Sequence, residues 1–212
     1  MTGATAARSR VSAIVLAGGR ASRFGSDKLV EEVNGESLLD LAISGVRQVA
    51  DEVIVVGRAA TDPEVRHVPD TEPFGGPLAG LAAGLDHARG KLAMVVGGDM
   101  PRLAPAVMTL MLARLGVDPS IQAVTLARQS RDEPAEPPRR QVLPLALAVH
   151  EARDAARAAL AAADRSLVSL VDRLVAAEVP VAEWLRLDPE ADTLLDVDTT
   201  ADLERIRRHD LR

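Results

Sequence analysis

Val11-Ser12-Ala13-Ile14-Val15-Leu16-Ala17-Gly18-Gly19-Arg20-Ala21-Ser22-Arg23-Phe24-Gly25-Ser26-Asp27-Lys28 begins as an apolar run, stops on a glycine pair and continues as a basic loop. A short Val- and Ile-rich run bounded by glycine suits a parallel strand covered on both faces. Glycine lets the backbone turn and approach a ligand where a Cβ would intrude. Successive N–H groups in such a turn can form an anion nest. Arg20, Arg23 and Lys28 add fixed positive charge. Together these features suit a triphosphate; the competing reading is a glycine-rich turn with solvated arginines. Two familiar phosphate motifs do not apply. The pattern G-x-x-x-x-G-K-[ST] needs Lys directly after the second Gly, but Ser26 and Asp27 intervene before Lys28, and G-x-G-x-x-G is missing.

Working outward, the pattern of strands alternating with helices continues. Val53–Val56 and Leu92–Val96 read as buried strands, Val65–Val68 and Leu29–Val33 as short ones. Ser37 is placed to cap a helix running to about Ala50, and Pro77 opens one running to Arg89. A helix is expected over Ala104–Leu115, strands over Ile121–Ala127 and Val142–Val149, and helices over Glu151–Ala163 and Leu167–Ala176. Val179–Trp184 reads as a strand and Thr199–Arg208 as the last helix. Residues 128–140, with Pro134, Pro137 and Pro138, read as a mobile excursion that could act as a lid. Residues 1–10 read as a flexible leader and 11–212 as one domain. The expected fold is therefore α/β: a three-layer α/β/α sandwich with a mostly parallel, Rossmann-like sheet. Ligands of such sheets sit beyond the carboxyl ends of the strands. Residues 17–28 and 97–101 should both open there.

Bulk properties exclude several functions. The 212 residues carry a net charge of -6, which argues against a broad nucleic-acid surface. Aromatic content is 1%, too low for a base-stacking platform. There is no Cys, so disulfides, thiolate catalysis and Cys-ligated zinc are ruled out. His67, His87, His150 and His209 lack zinc-ligand spacing, and Trp184 reads as a packing residue. No apolar run is long enough for a membrane span, and Met1–Arg10 lacks a secretory apolar core. The expectation is a cytoplasmic protein with neither a nucleic-acid nor a membrane partner; no motif speaks to its oligomeric state.

The spacing L-A-G-G-x-x-x-R-[FM]-G-x-x-K, here Leu16 to Lys28, resembles the signature loop of the MobA-like nucleotidyltransferases. Two further blocks carry the resemblance: Asp70 followed by Gly76-Pro77-Leu78-Ala79-Gly80, and Gly98-Asp99-Met100-Pro101, where Gly98 stands for a frequent Cys. A fourth, Asp196-Val197-Asp198-Thr199-Thr200-Ala201-Asp202-Leu203, departs from the family's N-x-N-T-P-E-D-L at both Asn positions and at Pro. The resemblance implies that Leu16, Ala17, Gly18, Gly19 and Lys28 wrap the triphosphate. It implies that Gly76, Pro77 and Leu78 pack beside the nucleotide, and that Asp70 reads guanine through its N1 and N2 donors. Arg23, Lys28 and Asp99 are the implied catalytic residues. Asp99 is the implied ligand of Mg2+, an ion that takes one or two protein carboxylates and leaves the rest to phosphate and water. Asp198 is a candidate second metal ligand, and Asp196 would share its side of an extended strand. Competing readings are a surface turn for Asp70, a simple Asp-x-Pro turn for Asp99, and a helix cap for Asp198 or Thr199.

The implied reaction transfers GMP from GTP to molybdopterin and releases pyrophosphate. Gly18, where cytidylyl members carry Ala, leans toward guanine. The alternatives are a cytidylyltransferase forming the cytosine dinucleotide, a guanylyltransferase for another phosphorylated acceptor, and a non-catalytic nucleotide-binding relative.

Overall fold

The computed structural model describes residues 10–18, 28–70, 75–128 and 139–209. The leader expected over residues 1–10 lies, except for Arg10, outside them.

Strand β1 (Val11–Leu16) lies in the interior of the sheet. It pairs in parallel with β4 (Glu52–Val56) on one side and with β6 (Leu92–Gly97) on the other. Beyond β4 lies β5 (Arg66–Val68), also parallel. Beyond β6 lies β8 (Arg139–Ala148), antiparallel, then β7 (Ala123–Arg128), and then β9 (Ala176–Val179), parallel to β7. The order is β5-β4-β1-β6-β8-β7-β9, so the expected mostly parallel sheet is present, with β8 as the reversed strand.

Alternation of side chains along the strands builds two cores. Ala13, Val15, Val53, Val55, Met94 and Val96 face one layer. That layer holds α1 (Leu38–Arg47) and α3 (Pro105–Val117). Ile14, Ile54, Val56, Ala93 and Val95 face the other. There α2 (Gly76–His87), α4 (Val149–Ala161) and α5 (Leu167–Val171) cover the sheet. Both faces of the central strands are thus dry, which is why they read as continuous apolar runs. Trp184 is buried in the first core and donates its indole N–H to the Ala127 carbonyl at 2.8 Å, confirming a packing role.

Several expected elements are corrected. Leu29–Val33 is not one strand: Lys28–Val30 is a 3-10 turn, and β2 (Glu32–Val33) forms a small hairpin with β3 (Glu36–Ser37) across Asn34-Gly35. Both turn residues have positive φ, as a tight two-residue hairpin needs. Helix α5 stops at Val171 because Ala176–Val179 is recruited to the free edge of β7. Val179–Trp184 is not a strand. Pro180 has no N–H for a ladder, and it instead heads α6 (Val181–Trp184). The excursion expected over 128–140 is shorter, since Arg128 closes β7 and Arg139 and Arg140 open β8. Residues 129–138 lie outside the described residues. The β7–β8 register shifts in the stretch that carries Pro144, where a ladder donor is missing.

Candidate active site

Four parallel strands end on one edge, and backbone bonds continue the ladder past them. Gly57 N–H donates to Val68 O and Ala17 N–H to Val56 O, each at 2.9 Å. Gly98 N–H donates to Leu16 O at 2.9 Å, and Val197 N–H to Asp99 O at 3.0 Å. These bonds stitch the first loop, the Asp70 turn, the Asp99 turn and the C-terminal segment into one rim.

The C-terminal segment is fixed from both sides. Thr193 N–H donates to the buried Asp188 carboxylate, and the Thr193 hydroxyl accepts from Ala104 N–H at the start of α3. After it, α7 (Thr200–His209) packs Leu203 and Ile206 against Val33, Leu38 and Val197. Residues 195–199 form no strand, contrary to expectation. Val197 N–H bonds the Asp99 turn, Leu195 N–H bonds Asp192 O and Thr199 N–H bonds Asp202, so no ladder to a neighbouring strand forms. Thr199 and Asp202 cap α7 reciprocally: Asp202 N–H donates to Thr199 Oγ1 at 3.2 Å, and Thr199 N–H to Asp202 Oδ2 at 2.9 Å. Because Thr199 does the capping, the Asp198 carboxylate is left to point at the rim.

Lys28 is the hub of that rim. Its Nζ donates to Asp99 Oδ2 at 2.7 Å and to Asp198 Oδ1 at 3.1 Å. Burial alone lowers the Lys28 pKa, but the bonds and charges of Asp99 and Asp198 outweigh it, and the net shift is upward. The ammonium stays charged through neutral pH. Asp196, in the same segment, has its pKa raised, first by desolvation and then by the Asp198 and Asp99 carboxylates. Two carboxylate oxygens from Asp99 and Asp198 converge on one cationic point. That is the protein donor set magnesium takes when phosphate and water complete its shell. Among the described residues no larger His, Cys, Asp or Glu cluster forms a ready-made metal cage.

On the β1 side, Gly18 lies against Asp70: a Cβ on Gly18 would stand 3.3 Å from Asp70 Oδ2. Gly57, at φ +101°, lets both strands end together, since a Cβ there would come within 2.8 Å of the Gly18 backbone. On the other side, a cavity of about 740 Å³ opens beside Asp99 and Asp196. Its walls include Pro77, Arg140, Gln141, Arg165 and Ser166. Gly76, at φ +79°, packs on Arg165, and Leu78 N–H donates to the Arg165 carbonyl at 3.4 Å.

The expected site residues Leu16, Ala17, Gly18, Lys28, Asp70, Gly76, Pro77, Leu78, Asp99 and Asp198 therefore line one edge of the sheet or its continuation. Gly19 and Arg23 lie outside the described residues. His67 and His87 each bond a main-chain carbonyl, and His150 pairs with Asp154, so none of these three joins the site. The sequence reading missed Gly57 and Gly97 as supports, and Arg140 and Arg165 as cavity walls. The Gly97-Gly98 doublet was a legible signal for the former; Arg140 was hidden in the excursion assigned to 128–140.

This fold and edge are those of the nucleotidyltransferases. Residues 13–178 match the MobA-like NTP transferase domain, and the chain belongs to that family. A relative from Chloroflexus aggregans named "Probable molybdenum cofactor guanylyltransferase" is 33% identical over 207 residues, covering 94% of each chain. The molybdopterin-guanine dinucleotide biosynthesis protein A structure from Archaeoglobus fulgidus superposes with a TM-score of 0.76 at 21% identity, covering 94% of this chain and 98% of that one. A 4-diphosphocytidyl-2C-methyl-D-erythritol synthase structure from Anaerococcus prevotii gives 0.73 at 17% identity, covering 96% and 97%. At those identities the two structures establish the fold alone.

Proposed function

We propose that the protein transfers GMP from GTP to molybdopterin, releasing pyrophosphate, with magnesium as its cofactor. The observation that carries the reading is the Lys28 ammonium held between Asp99 and Asp198 on the edge where the Gly18 loop also opens. Phosphoryl-type transfer asks a protein mainly for positioning and for charge placed where charge develops. Asp99 and Asp198 would hold the magnesium, which supplies positive charge to the phosphates when bound. Lys28, together with Arg23 by the family resemblance, neutralises charge on the transferring group. An oxygen of the acceptor's phosphate bonds to the α-phosphorus of GTP, and the bond from that phosphorus to the leaving pyrophosphate breaks. No side chain need act as nucleophile, because a phosphate monoester is already ionised near neutral pH.

Guanine is favoured because Gly18 leaves room beside Asp70, whose carboxylate can accept from the N1 and N2 donors of guanine; cytosine offers no such pair. The acceptor is assigned to the cavity beside Asp99, whose walls carry Arg165 and Arg140, the latter paired with Asp172, together with Asp164 and Asp196. The name of the Chloroflexus relative agrees with this substrate pair. Among the described residues no helix is long and apolar enough to cross a membrane.

The test is pyrophosphate release with GTP, CTP, ATP or UTP plus magnesium, with and without molybdopterin. Release that needs both GTP and molybdopterin supports the reading. Preference for CTP would overturn the guanine assignment, and nucleotide binding without turnover would move the protein to the non-catalytic class.

A further inference from the structure

The main chain is pinned at Asp99 and beside Asp198, and both carboxylates stand on short side chains, whereas the cation between them rides on a long one. Asp99 is fixed at a strand end, with Gly98 bonded to Leu16 and Val197 bonded to the Asp99 carbonyl. That last bond also fixes the segment bearing Asp198. Lys28 by contrast reaches the pair on a flexible four-carbon stem with three rotatable donors. It opens the 3-10 turn that follows the glycine-rich loop, so an anion seated in that loop competes for the same ammonium.

We propose that Lys28 is a resident counter-ion which keeps free divalent cations out of the Asp99–Asp198 pair until a bound triphosphate draws the ammonium away, so that metal enters with the nucleotide and not before it. This rests on the metal assignment above. Asp99 Oδ2 and Asp198 Oδ1 both contact the ammonium at 3.1 Å or less. An ion seated between the same two oxygens would therefore overlap the ammonium, and two like charges at such range oppose each other strongly where water is partly excluded. The Lys28 and Asp99 side chains are 21% and 24% exposed and Asp198 is 53% exposed, so solvent screens the conflict on the Asp198 side and less at Asp99. A triphosphate removes it by offering Lys28 another anion. The lysine thereby serves two states, first closing the metal site and then standing on the phosphates.

The experiment is Mn2+ binding to the full-length protein followed by electron paramagnetic resonance, without nucleotide and with GTP, in the absence of acceptor. The wild type should bind Mn2+ weakly alone and tightly with GTP. Lys28→Met should bind Mn2+ about tenfold or more tightly than wild type when no nucleotide is present. Lys28→Arg, which keeps the charge, should stay weak. Arg128→Gln should also stay weak, because Arg128 donates to Gln141 and its charge acts on Asp196, whereas the ammonium on the Asp99–Asp198 pair is that of Lys28. Adding Asp99→Asn to Lys28→Met should remove the gain. Tight Mn2+ binding by the nucleotide-free wild type overturns the proposal while sparing the metal assignment, as does an unchanged Lys28→Met or an equal gain in Arg128→Gln. No Mn2+ binding by the wild type even with GTP overturns the metal assignment itself, and the proposal with it.

Discussion

Asp99 Oδ1 occupies the space that a side chain on Gly97 would need: a Cβ there would collide with it. The last residue of β6 thus sets the direction of the carboxylate two positions later. Gly97→Ala should turn that carboxylate off its line to Lys28 without emptying the core. A catalytic group displaced by about 1 Å can cost on the order of a hundredfold in rate. We expect such a loss in kcat for pyrophosphate release, with far-UV circular dichroism unchanged. A variant within about twofold of wild type would show that the Asp99 direction is not critical.

Asp99→Ala removes the carboxylate itself. With one of its two acidic partners gone, Lys28 keeps only Asp198, and the expected metal ligand is lost. Magnesium-dependent turnover should fall by about a thousandfold or more. The circular dichroism spectrum should not change, because the site lies on the rim and not in either core. An active variant would refute the metal assignment.

Gly18→Ala tests the guanine reading. The added methyl group would press on Asp70 Oδ2 at 3.3 Å, so the carboxylate must shift from the base it is proposed to read. The ratio of kcat/KM for GTP over CTP should fall about tenfold, with GTP losing more than CTP gains. Asp70→Ala should lower the same ratio. An unchanged ratio in both variants would place base selection elsewhere.

How much of this was legible in the sequence follows from its physics. The central strands and their covering helices could be read because Val53–Val56 and Leu92–Val96 are apolar on both faces, and Ser37 does cap α1. The far half of the sheet was harder. Val179 to Trp184 is apolar enough for a strand, and its helical end follows from where Pro180 turns the chain beside β7. The site was legible block by block, but its assembly was not. Lys28 meets Asp99 across 71 positions and Asp198 across 170, distances that no local pattern encodes. Of the two caps considered for α7, Asp198 or Thr199, the structure uses Thr199, whose hydroxyl accepts the helix N–H.

Gly57→Ala probes the rim from the β4 side. Position 57 combines φ +101° with a Cβ that would meet the Gly18 backbone at 2.8 Å. The left-handed strain and the collision act together, and the expected destabilisation is about 1–3 kcal/mol. Chemical denaturation should show a lower midpoint at unchanged slope. Because Gly18 must move, KM for the nucleotide should rise more than kcat falls. A drop in stability with unchanged KM would mean that the first loop is held without Gly57.

The α7 cap gives a pH-dependent test. Burial raises the Asp202 pKa, but the Thr199 hydroxyl and backbone N–H, together with the Asp198 backbone, outweigh it, and the net shift is downward. A carboxyl group whose folded pKa is depressed contributes stability that is complete above its unfolded pKa and is lost as pH falls through the folded value. Thr199→Ala removes the hydroxyl that accepts from Asp202 N–H and donates to Asp202 Oδ2, while the Thr199 backbone N–H bond remains; loss of such a cap typically costs about 1 kcal/mol. For a chain of this size that is a fall of about 2–4 °C in Tm near neutral pH. Asp202→Asn should lose a similar amount there, because its amide bonds the cap less strongly than a carboxylate. As the pH falls below the ordinary Asp range and through the depressed Asp202 pKa, the wild-type carboxylate is itself protonated, so the gap between wild type and Asp202→Asn should narrow. Since α7 braces Val197 and hence the Asp198 segment, kcat should fall in the same variants at temperatures well below Tm. Loss of stability with no change in kcat would separate the cap from the site it supports.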